Sequence, residues 1–240
     1  GDAGADTIYG GADADTIDGG ADVDTIDGGT GNDTITGGTG NDIIDGGDDT
    51  DTFDESDSTS NITVVLENAS GTSTSAVEGT DTLTNIENVT TGSGADDFTL
   101  SDSGLNVISA SSGTDTVTIL NAISITVTRI GDDVFITDNS TGVGDDEYYS
   151  VEQVNISGTS VDNTFTMNDN LNNIINGQGG SNEVNYSLVT AVINVNSLSS
   201  STSITSTGIG TDTLINIQDI TTGNNDDIFI IEENGVNNVF

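Results

Sequence analysis

The first 54 residues repeat with a period of nine, and this register constrains the fold more than any other feature of the chain. Six units follow without a gap: GDAGADTIY, GGADADTID, GGADVDTID, GGTGNDTIT, GGTGNDIID and GGDDTDTFD. Position six is always Asp, position eight is always large and apolar, and positions one and two are Gly in five of the six units. A flexible acidic linker needs neither this register nor the apolar residue. Residues 1–54 are therefore predicted to form a solenoid of stacked repeats.

Each unit predicts a short strand followed by a turn. Positions seven to nine are expected to be the strand, with the position-eight residue pointing inward, and the Gly-rich half is expected to be the turn. Position four is Asp at Asp13, Asp22 and Asp49, and Asp tolerates the left-handed conformation that such a turn requires. Two units complete one coil of 18 residues, so position-six residues 18 apart are expected to share an edge.

The charge of the chain limits its chemistry to that of carboxylates. The 240 residues include 41 Asp or Glu, one basic residue (Arg129) and no His or Cys, which gives a formal net charge of −40. This composition excludes nucleic-acid binding, which requires basic residues, and it excludes disulfides and imidazole ligands. Carboxylates stacked one strand spacing apart, ~4.8 Å, repel one another unless a cation lies between them. Oxygen-rich sites of this kind suit Ca²⁺.

The nonapeptide resembles that of the RTX (repeats-in-toxin, haemolysin-type) proteins, a calcium-binding repeat. The resemblance covers residues 1–54 and implies a parallel β-roll or β-helix with several Ca²⁺ ions between consecutive turns on each edge. It also implies a secreted or cell-surface bacterial protein. The carboxylate ligands that it implies are the position-six residues Asp6, Asp15, Asp24, Asp33, Asp42 and Asp51. The turn glycines whose carbonyls it implies as ligands are Gly10, Gly11, Gly19, Gly20, Gly28, Gly29, Gly37 and Gly38.

Residues 55–240 contain a longer and less regular repeat. Segment 41–109, the first copy, aligns with segment 172–240, the second copy, at a constant offset of 131. Their clearest match is GTDTLTNIENVTTG against GTDTLINIQDITTG, with 10 of 14 residues identical. A worn copy at 144–157 completes a repeat of about 66 residues, at roughly 41–105, 106–172 and 173–240. Each repeat is predicted to begin with one or two nonapeptides and then to widen.

The predicted fold is all-β, with a regular β-roll at 1–54 followed by a degenerate Ser/Thr/Asn-rich parallel β-solenoid at 55–240. The absence of Pro favours a solenoid, because Pro cannot donate to a strand ladder. The alternative is a β-sandwich module capped by the nonapeptides. A hairpin is predicted at 126–137 with its turn at Gly131–Asp132. The spacing of Leu83, Ile86 and Val89 predicts a strand that bends round a coil corner.

Candidate metal ligands beyond residue 54 are Asp96, Asp115 and Asp227. Asn106 and Asn182 occupy equivalent positions, but an amide supplies a neutral oxygen and attracts Ca²⁺ less strongly. The sequence leaves two alternatives open there: a bound ion, or a metal-free coil closed by Asn hydrogen bonds.

The expected function is structural rather than catalytic. A pair of carboxylates at a glycosidase spacing would arise by chance among 41 acids, so such a pair is no evidence for an enzyme. Arg129 lies beside a predicted turn, where a surface salt bridge is the expected role. We expect an extracellular solenoid that folds on binding Ca²⁺, as a stalk, fibre, surface-layer or adhesin segment of a longer protein. The alternatives are a filament subunit that stacks end to end with copies of itself, a carbohydrate- or partner-binding module, and the non-catalytic RTX part of a secreted enzyme. No nucleic-acid partner and no membrane insertion are expected.

Overall fold

The computed structural model describes residues 1–67, 70–101, 106–121, 124–130, 133–138, 146–149, 151, 153–168, 171–197, 202–206 and 210–231. Regular structure in these segments consists of β-strands, without a helix. Accordingly, the described residues include no helix that is long and apolar enough to cross a membrane. The chain divides into two compact units, one of residues 1–116 and 147–151 and the other of residues 117–146 and 152–240.

The first unit contains two sheets with the strand orders β1-β3-β5-β9-β8-β7-β11 and β2-β4-β6-β10-β12-β16. Its strands are β1 Thr7–Ala12, β2 Thr16–Ala21, β3 Thr25–Thr30, β4 Thr34–Thr39, β5 Ile43–Asp48, β6 Thr52–Glu55, β7 Ile62–Glu67, β8 Ser70–Ser75, β9 Gly79–Thr84, β10 Asn88–Thr91, β11 Asp97–Leu100, β12 Val107–Ser109 and β16 Asp146–Tyr149. Strands β1 to β6 alternate between the sheets, and β1 pairs in parallel with β3 so that Ile8 lies beside Ile26. The prediction of a parallel β-roll is confirmed.

The position-eight residues form the core between these two sheets. Ile26, Ile35, Ile44 and Phe53 are at most 1% exposed, whereas the flanking residues of each strand are exposed or half-buried. Burial of such a side chain contributes about 1.5–3 kcal/mol. The alternation arises because successive strand residues point to opposite faces, so one apolar residue per unit suffices to fill the interior.

The strands are longer than predicted, and the turns are shorter. Each full strand covers positions seven to nine and continues through positions one to three of the next unit, including the Gly pair. The position-two glycines bend the strand at positive φ, as at Gly11 with 114° and Gly29 with 108°. The turn is confined to the following positions, where Asp13 and Asp22 adopt φ of 76° and 75°. The prediction that the whole Gly-rich half is a turn was therefore wrong.

The roll widens after β6 through an inserted antiparallel meander. Strand β8 pairs antiparallel with both β7 and β9, while β5 continues in parallel with β9 and β7 with β11. The chain then turns from β9 into β10 at Asn85, whose φ is 51°. Leu83, Ile86 and Val89 are buried around this bend, as the period of three predicts for a coil corner.

The second unit repeats this design. Its sheets have the orders β13-β17-β19-β23-β22-β21-β25 and β15-β14-β18-β20-β24. Its strands are β13 Thr116–Ile119, β14 Ser124–Ile130, β15 Asp133–Asp138, β17 Gln153–Ser157, β18 Thr164–Asn168, β19 Ile174–Asn176, β20 Glu183–Asn185, β21 Asn194–Ser197, β22 Thr202–Ser206, β23 Gly210–Ile215, β24 Asp219–Thr221 and β25 Ile228–Ile231. Strands β21 to β23 form a second meander, and β14 and β15 form the hairpin expected at 126–137. Its expected turn residues, 131 and 132, lie outside the described residues.

The boundary between the two units differs from the division at residue 54 that repeat regularity predicts. Strands β5 and β6 of the regular region pair with β9 and β10 of the following region. The regular nonapeptides and the first meander therefore belong to one packed unit.

Candidate metal centre

The position-six aspartates are buried where each turn enters its strand. Asp24, Asp33, Asp42 and Asp51 are at most 1% exposed, while Asp6 and Asp15 in the first coil are half-buried. Carboxylates are rarely buried to this extent unless a charge partner or a metal compensates for the lost hydration.

One oxygen of each buried carboxylate holds the adjacent coil. On one edge, Oδ1 of Asp24 accepts the backbone N–H of Asp6 at 2.7 Å, and Oδ1 of Asp42 accepts that of Asp24 at 2.8 Å. On the other edge, the backbone N–H groups of Asp15 and Asp33 donate at 2.7 Å to Asp33 and Asp51. The structure thus brings the six residues together as two edge ladders, hereafter the carboxylate ladders.

The second oxygen of these carboxylates has no hydrogen-bond partner. Oδ2 is buried and unpartnered in Asp15, Asp24, Asp33, Asp42 and Asp51. A Cβ placed on Gly19 would lie 2.9 Å from Oδ2 of Asp24 and 2.4 Å from the carbonyl oxygen of Gly37. A Cβ placed on Gly10 would lie similarly close to Oδ2 of Asp15 and to the carbonyl oxygen of Gly28. A carboxylate oxygen and a backbone carbonyl oxygen therefore converge beside each of these position-one glycines, a donor set that suits Ca²⁺.

The two glycines of each pair serve different purposes. Position one, at Gly10, Gly19, Gly28 and Gly37, lies against Oδ2 and leaves space beside it. Position two allows adjacent coils to approach closely. A Cβ on Gly29 or Gly38 would lie 2.1 Å from a carbonyl oxygen of the preceding coil, and a Cβ on Gly20 would lie 2.3 Å from one. At Gly11 nothing crowds a Cβ, and the positive φ alone favours glycine.

No group of three or more Asp or Glu side chains within the described segments could hold a metal ion by itself. A cation at these edges would therefore be held by one or two carboxylates together with turn carbonyls. Ca²⁺ accepts 6–8 oxygen ligands of both kinds in a flexible arrangement, so the residues present fit this ion. Bound there, it would supply charge neutralisation and cross-linking between coils.

Two ligand candidates extend the carboxylate ladders into the inserted region, and the sequence analysis missed both. The backbone N–H of Asp42 donates to Oδ1 of Asp81 at 2.9 Å, and that of Asp51 donates to Oε2 of Glu87 at 2.8 Å. Their separations of 39 and 36 residues conceal them from a nine-residue register. The only sequence signal was that both lie in the repeated block at 79–92.

Burial and mutual repulsion disfavour the charged carboxylates at this end of the ladders. Burial raises the pKa of Asp51 to about 6, against the lowering effect of the backbone hydrogen bond from Asp33 and with smaller raising effects from the charges of Asp33 and Glu87. Burial likewise raises the pKa of Asp42, and that of Asp81 to about 6. A cation would reverse this balance, because a nearby positive charge favours the ionised form.

Asp96 and Asp115 continue the same arrangement beyond the first meander. Both are fully buried, and Oδ1 of Asp115 accepts the backbone N–H of Asp96 at 2.8 Å. Oδ1 of Asp96 accepts the N–H of Ile62 at 2.8 Å, and its Oδ2 has no hydrogen-bond partner. Asp227 is half-buried and accepts the N–H of Ile193 at 2.9 Å. Asp96 therefore repeats the unpartnered oxygen of the first ladders.

At Asn163 and Asn182, amide hydrogens satisfy the neighbouring carbonyls. Nδ2 of Asn182 donates to the carbonyls of Gly179 and Asn216 at 3.1 and 2.9 Å. Nδ2 of Asn163 donates to the carbonyl of Val161 at 2.7 Å and to Oδ1 of Asn182 at the same distance. Of the two alternatives that the sequence left open, these contacts favour the metal-free coil here. Asn106 is also buried.

The geometry of residues 1–54 is that of a cation-binding parallel β-roll. Residues 1–26 and 18–53 match the family described as the RTX calcium-binding nonapeptide repeat, whose model spans 4 copies. This part of the chain is therefore an RTX calcium-binding repeat tract, as the resemblance predicted; it is called the RTX tract below.

Comparison with other proteins adds little beyond the RTX tract. No curated protein matches the chain. Among solved structures, the crystal structure of the extracellular lipase LipA from Serratia marcescens is similar at 15% identity and a TM-score of 0.29. The match covers 85% of this chain and 36% of the lipase chain. This chain thus spans about a third of the length of that protein, and the likeness is too low to carry an inference about activity.

Proposed function

We propose that this chain is a calcium-dependent structural segment of a secreted bacterial protein, which folds on binding Ca²⁺ and has no catalytic activity of its own. The observation that carries the proposal is the row of five buried Oδ2 atoms without a hydrogen-bond partner, at Asp15, Asp24, Asp33, Asp42 and Asp51. Each lies in a turn that also offers backbone carbonyls.

The proposed mechanism is linkage between binding and folding. The ligand oxygens of the carboxylate ladders come from different coils, so they meet only when the coils are stacked. An ion that binds only the folded state stabilises it by its binding free energy. Without the ion, each buried unpaired carboxylate opposes folding because it has lost its hydration.

The proposed extracellular location follows from the dependence of folding on Ca²⁺. RTX repeats are typical of secreted bacterial proteins, and extracellular calcium modules bind with dissociation constants of ~10⁻⁴–10⁻³ M. At the low calcium concentration of a cytosol, a chain with a formal charge of −40 would stay expanded. Outside the cell, millimolar calcium would fold it.

Circular dichroism during a calcium titration tests the proposal. The full chain should gain β-sheet signal as Ca²⁺ rises through the millimolar range, and excess chelator should remove it. The double variant Asp24→Asn with Asp42→Asn should bind fewer Ca²⁺ ions per chain in equilibrium dialysis, because a neutral amide oxygen attracts the ion less strongly. Asp18→Asn, which removes an exposed carboxylate of the same tract, is the matched control and should titrate like the parent chain. Equal β-sheet content with calcium and with chelator would reject the proposal.

The finer proposal is a role as a stalk, fibre, surface-layer or adhesin segment. A row of parallel strands stacked at ~4.8 Å gives a stiff element, which is consistent with such a role. Analytical ultracentrifugation in calcium distinguishes a monomeric stalk, with one concentration-independent species, from a self-assembling filament, whose size grows with protein concentration.

A further inference from the structure

Glu55 occupies a place in the roll where the preceding coils have glycine. Strand β4 pairs with β6 so that Ile35 lies beside Phe53, and continuing this register places Glu55 beside the position-one residue Gly37. The Glu55 side chain points into the unit and is only 5% exposed, and its Oε1 has no hydrogen-bond partner. A buried carboxylate oxygen without a donor requires a compensating positive group.

The side chain next to Glu55 in the register also lacks a hydrogen-bond partner. Thr91 is its register neighbour on β10, is fully buried, and has an unpartnered hydroxyl. Burial and then the charge of Asp81, followed by Glu78, Asp54 and Asp42, raise the pKa of Glu55 to about 8. Asp81 is therefore the charged group that acts most strongly on Glu55.

A cleft of about 220 Å³ opens beside this cluster, lined by Asp54, Glu55, Asp57, Ser58 and Glu78 among others. Both carboxylate oxygens of Glu78 are already held, since the Ser58 hydroxyl donates to Oε1 at 2.9 Å and the Ser75 hydroxyl donates to Oε2. The two serine hydroxyls thus fix the position of the Glu78 carboxylate beside the cleft.

The second copy of the long repeat shows how the same backbone is completed without a cation. At the offset of 131, Glu55 corresponds to Tyr186 and Asp81 to Asp212. The local turn is the same, because the N–H of Ser58 donates to the Glu55 carbonyl at 3.0 Å and that of Val189 to the Tyr186 carbonyl at 2.9 Å. In the second copy the Tyr186 hydroxyl donates to Oδ2 of Asp212 at 2.8 Å.

The acids around Glu55 change together with it. At the same offset, Asp54, Asp57 and Glu78 of the first copy correspond to Asn185, Leu188 and Ile209. The second copy has therefore replaced all four acidic residues of the cleft with neutral ones. A cleft lined by four acidic side chains is suited to a hydrated cation.

We propose that Glu55 and Asp81 bind one Ca²⁺ ion at the junction between the RTX tract and the first meander. Thr91 supplies a neutral oxygen, and Glu78 and Asp42 add negative charge. Asp81 continues one carboxylate ladder into β9, whereas Glu55 occupies a position-one place that is glycine in the preceding coils. The site therefore contains a side-chain carboxylate that the nine-residue pattern lacks. It links the end of β6 to the returning strand β9, and so makes the docking of the meander calcium-dependent.

The test counts bound calcium per full-length chain by equilibrium dialysis and inductively coupled plasma mass spectrometry. Glu55→Tyr reproduces the hydroxyl of the second copy, and Glu55→Gln keeps the size of the side chain while supplying an amide donor. Both variants should fold in calcium and bind one ion fewer than the parent chain. Asp18→Asn is the control and should keep the full count.

An unchanged count in both Glu55 variants would overturn the proposal, as would a loss of more than one ion in both. These outcomes leave the proposed function in place as long as the parent chain binds calcium and folds. Failure of the parent chain itself to bind calcium would reject the proposed function and this site together.

Discussion

The two copies of the long repeat solve the same packing problem with different chemistry. In the first copy, a Cβ on Gly46 would lie 2.6 Å from Oδ2 of Asp51 and 2.2 Å from the carbonyl oxygen of Asn85, so two acceptors face each other. At the equivalent place in the second copy, a Cβ on Gly177 would lie 2.4 Å from Nδ2 of Asn182. That nitrogen donates to the carbonyl of Asn216, the counterpart of Asn85.

The backbone around these sites is conserved between the copies while the side-chain charge is not. The N–H of Asp51 donates to Glu87 at 2.8 Å, and the N–H of Asn182 donates to Gln218 at 2.7 Å. Asn85 and Asn216 have φ of 51° and 54°. A single exchange of a carboxylate oxygen for an amide nitrogen therefore converts a place that needs a cation into one that is complete by itself.

Calcium removal should produce the largest difference between the two copies. With excess chelator, the carboxylate ladders lose the charge that compensates their buried oxygens, while the amide contacts of the second copy keep their donors. Hydrogen–deuterium exchange should show strong deprotection of residues 1–101 and a smaller change at 173–197. Equal deprotection of both segments would contradict the comparison.

Conversion of the first copy to the chemistry of the second should stabilise the metal-free chain. The double variant Asp51→Asn with Glu87→Gln gives Nδ2 of residue 51 a carbonyl to donate to, and removes a repulsive pair. Supplying a donor to a buried unsatisfied acceptor is worth about 1–3 kcal/mol. Because the first copy of the parent chain is expected to be unfolded in chelator, circular dichroism in chelator should show more β-sheet signal in this variant than in the parent, and the calcium count should fall. Asp18→Asn serves as the control, and a loss of stability in chelator would be contrary to expectation.

The reverse change in the second copy should destabilise it and create a dependence on calcium. Asn182→Asp removes the donor to the carbonyls of Gly179 and Asn216 and leaves a buried charge. The expected loss in chelator is about 1–3 kcal/mol, and millimolar calcium should restore part of it. The Asn225→Asp variant, which removes an exposed amide donor, is the comparison for a solvent-accessible site. If calcium restored both variants equally, the effect would be non-specific.

The smallest expected effect is on the pH dependence of the metal-free chain. Glu55, Asp51 and Asp81 have folded-state pKa values raised to about 8, 6 and 6, above their ordinary values of 4.5, 3.8 and 3.8. The folded state therefore binds more protons than the unfolded state between these values. Stability should be highest near the unfolded pKa values and should fall as the pH rises through 6 and 8.

Circular dichroism at pH 5, 6.5 and 8 in chelator measures this trend, because the folded fraction of the metal-free chain should be largest at pH 5. Glu55→Gln should flatten the upper part of the profile, because its amide does not titrate. With saturating calcium the trend should weaken or reverse, since the ligands must be ionised to bind. Rising stability with pH in the metal-free chain would show that these carboxylates are not buried as described.

The sequence was sufficient to predict the roll and its two edges, since both follow from local periodicity. An Asp and, two residues later, a large apolar residue recur every nine residues, as at Asp24 and Ile26. The position of these residues in one unit therefore predicts their position in the next. Asp81 and Glu87 could not be placed in this way, because a meander of three strands separates them from Asp42 and Asp51. The length of the strands was also misjudged, because position-two glycines read as turn residues although they continue the strand at positive φ.

The amino-acid sequence by itself determined the nine-residue register, the inward apolar residue and the accumulation of acids at the coil edges. These are local properties that every unit repeats. Only the tertiary structure decided which carboxylate oxygens have donors, since this depends on strands that are distant in sequence. Oδ2 of Asp42 and Oε1 of Glu55 have no donor. In contrast, the Tyr186 hydroxyl and the Asn182 amide are themselves hydrogen-bond donors. Burial makes the distinction consequential, because water is not there to replace the missing donor.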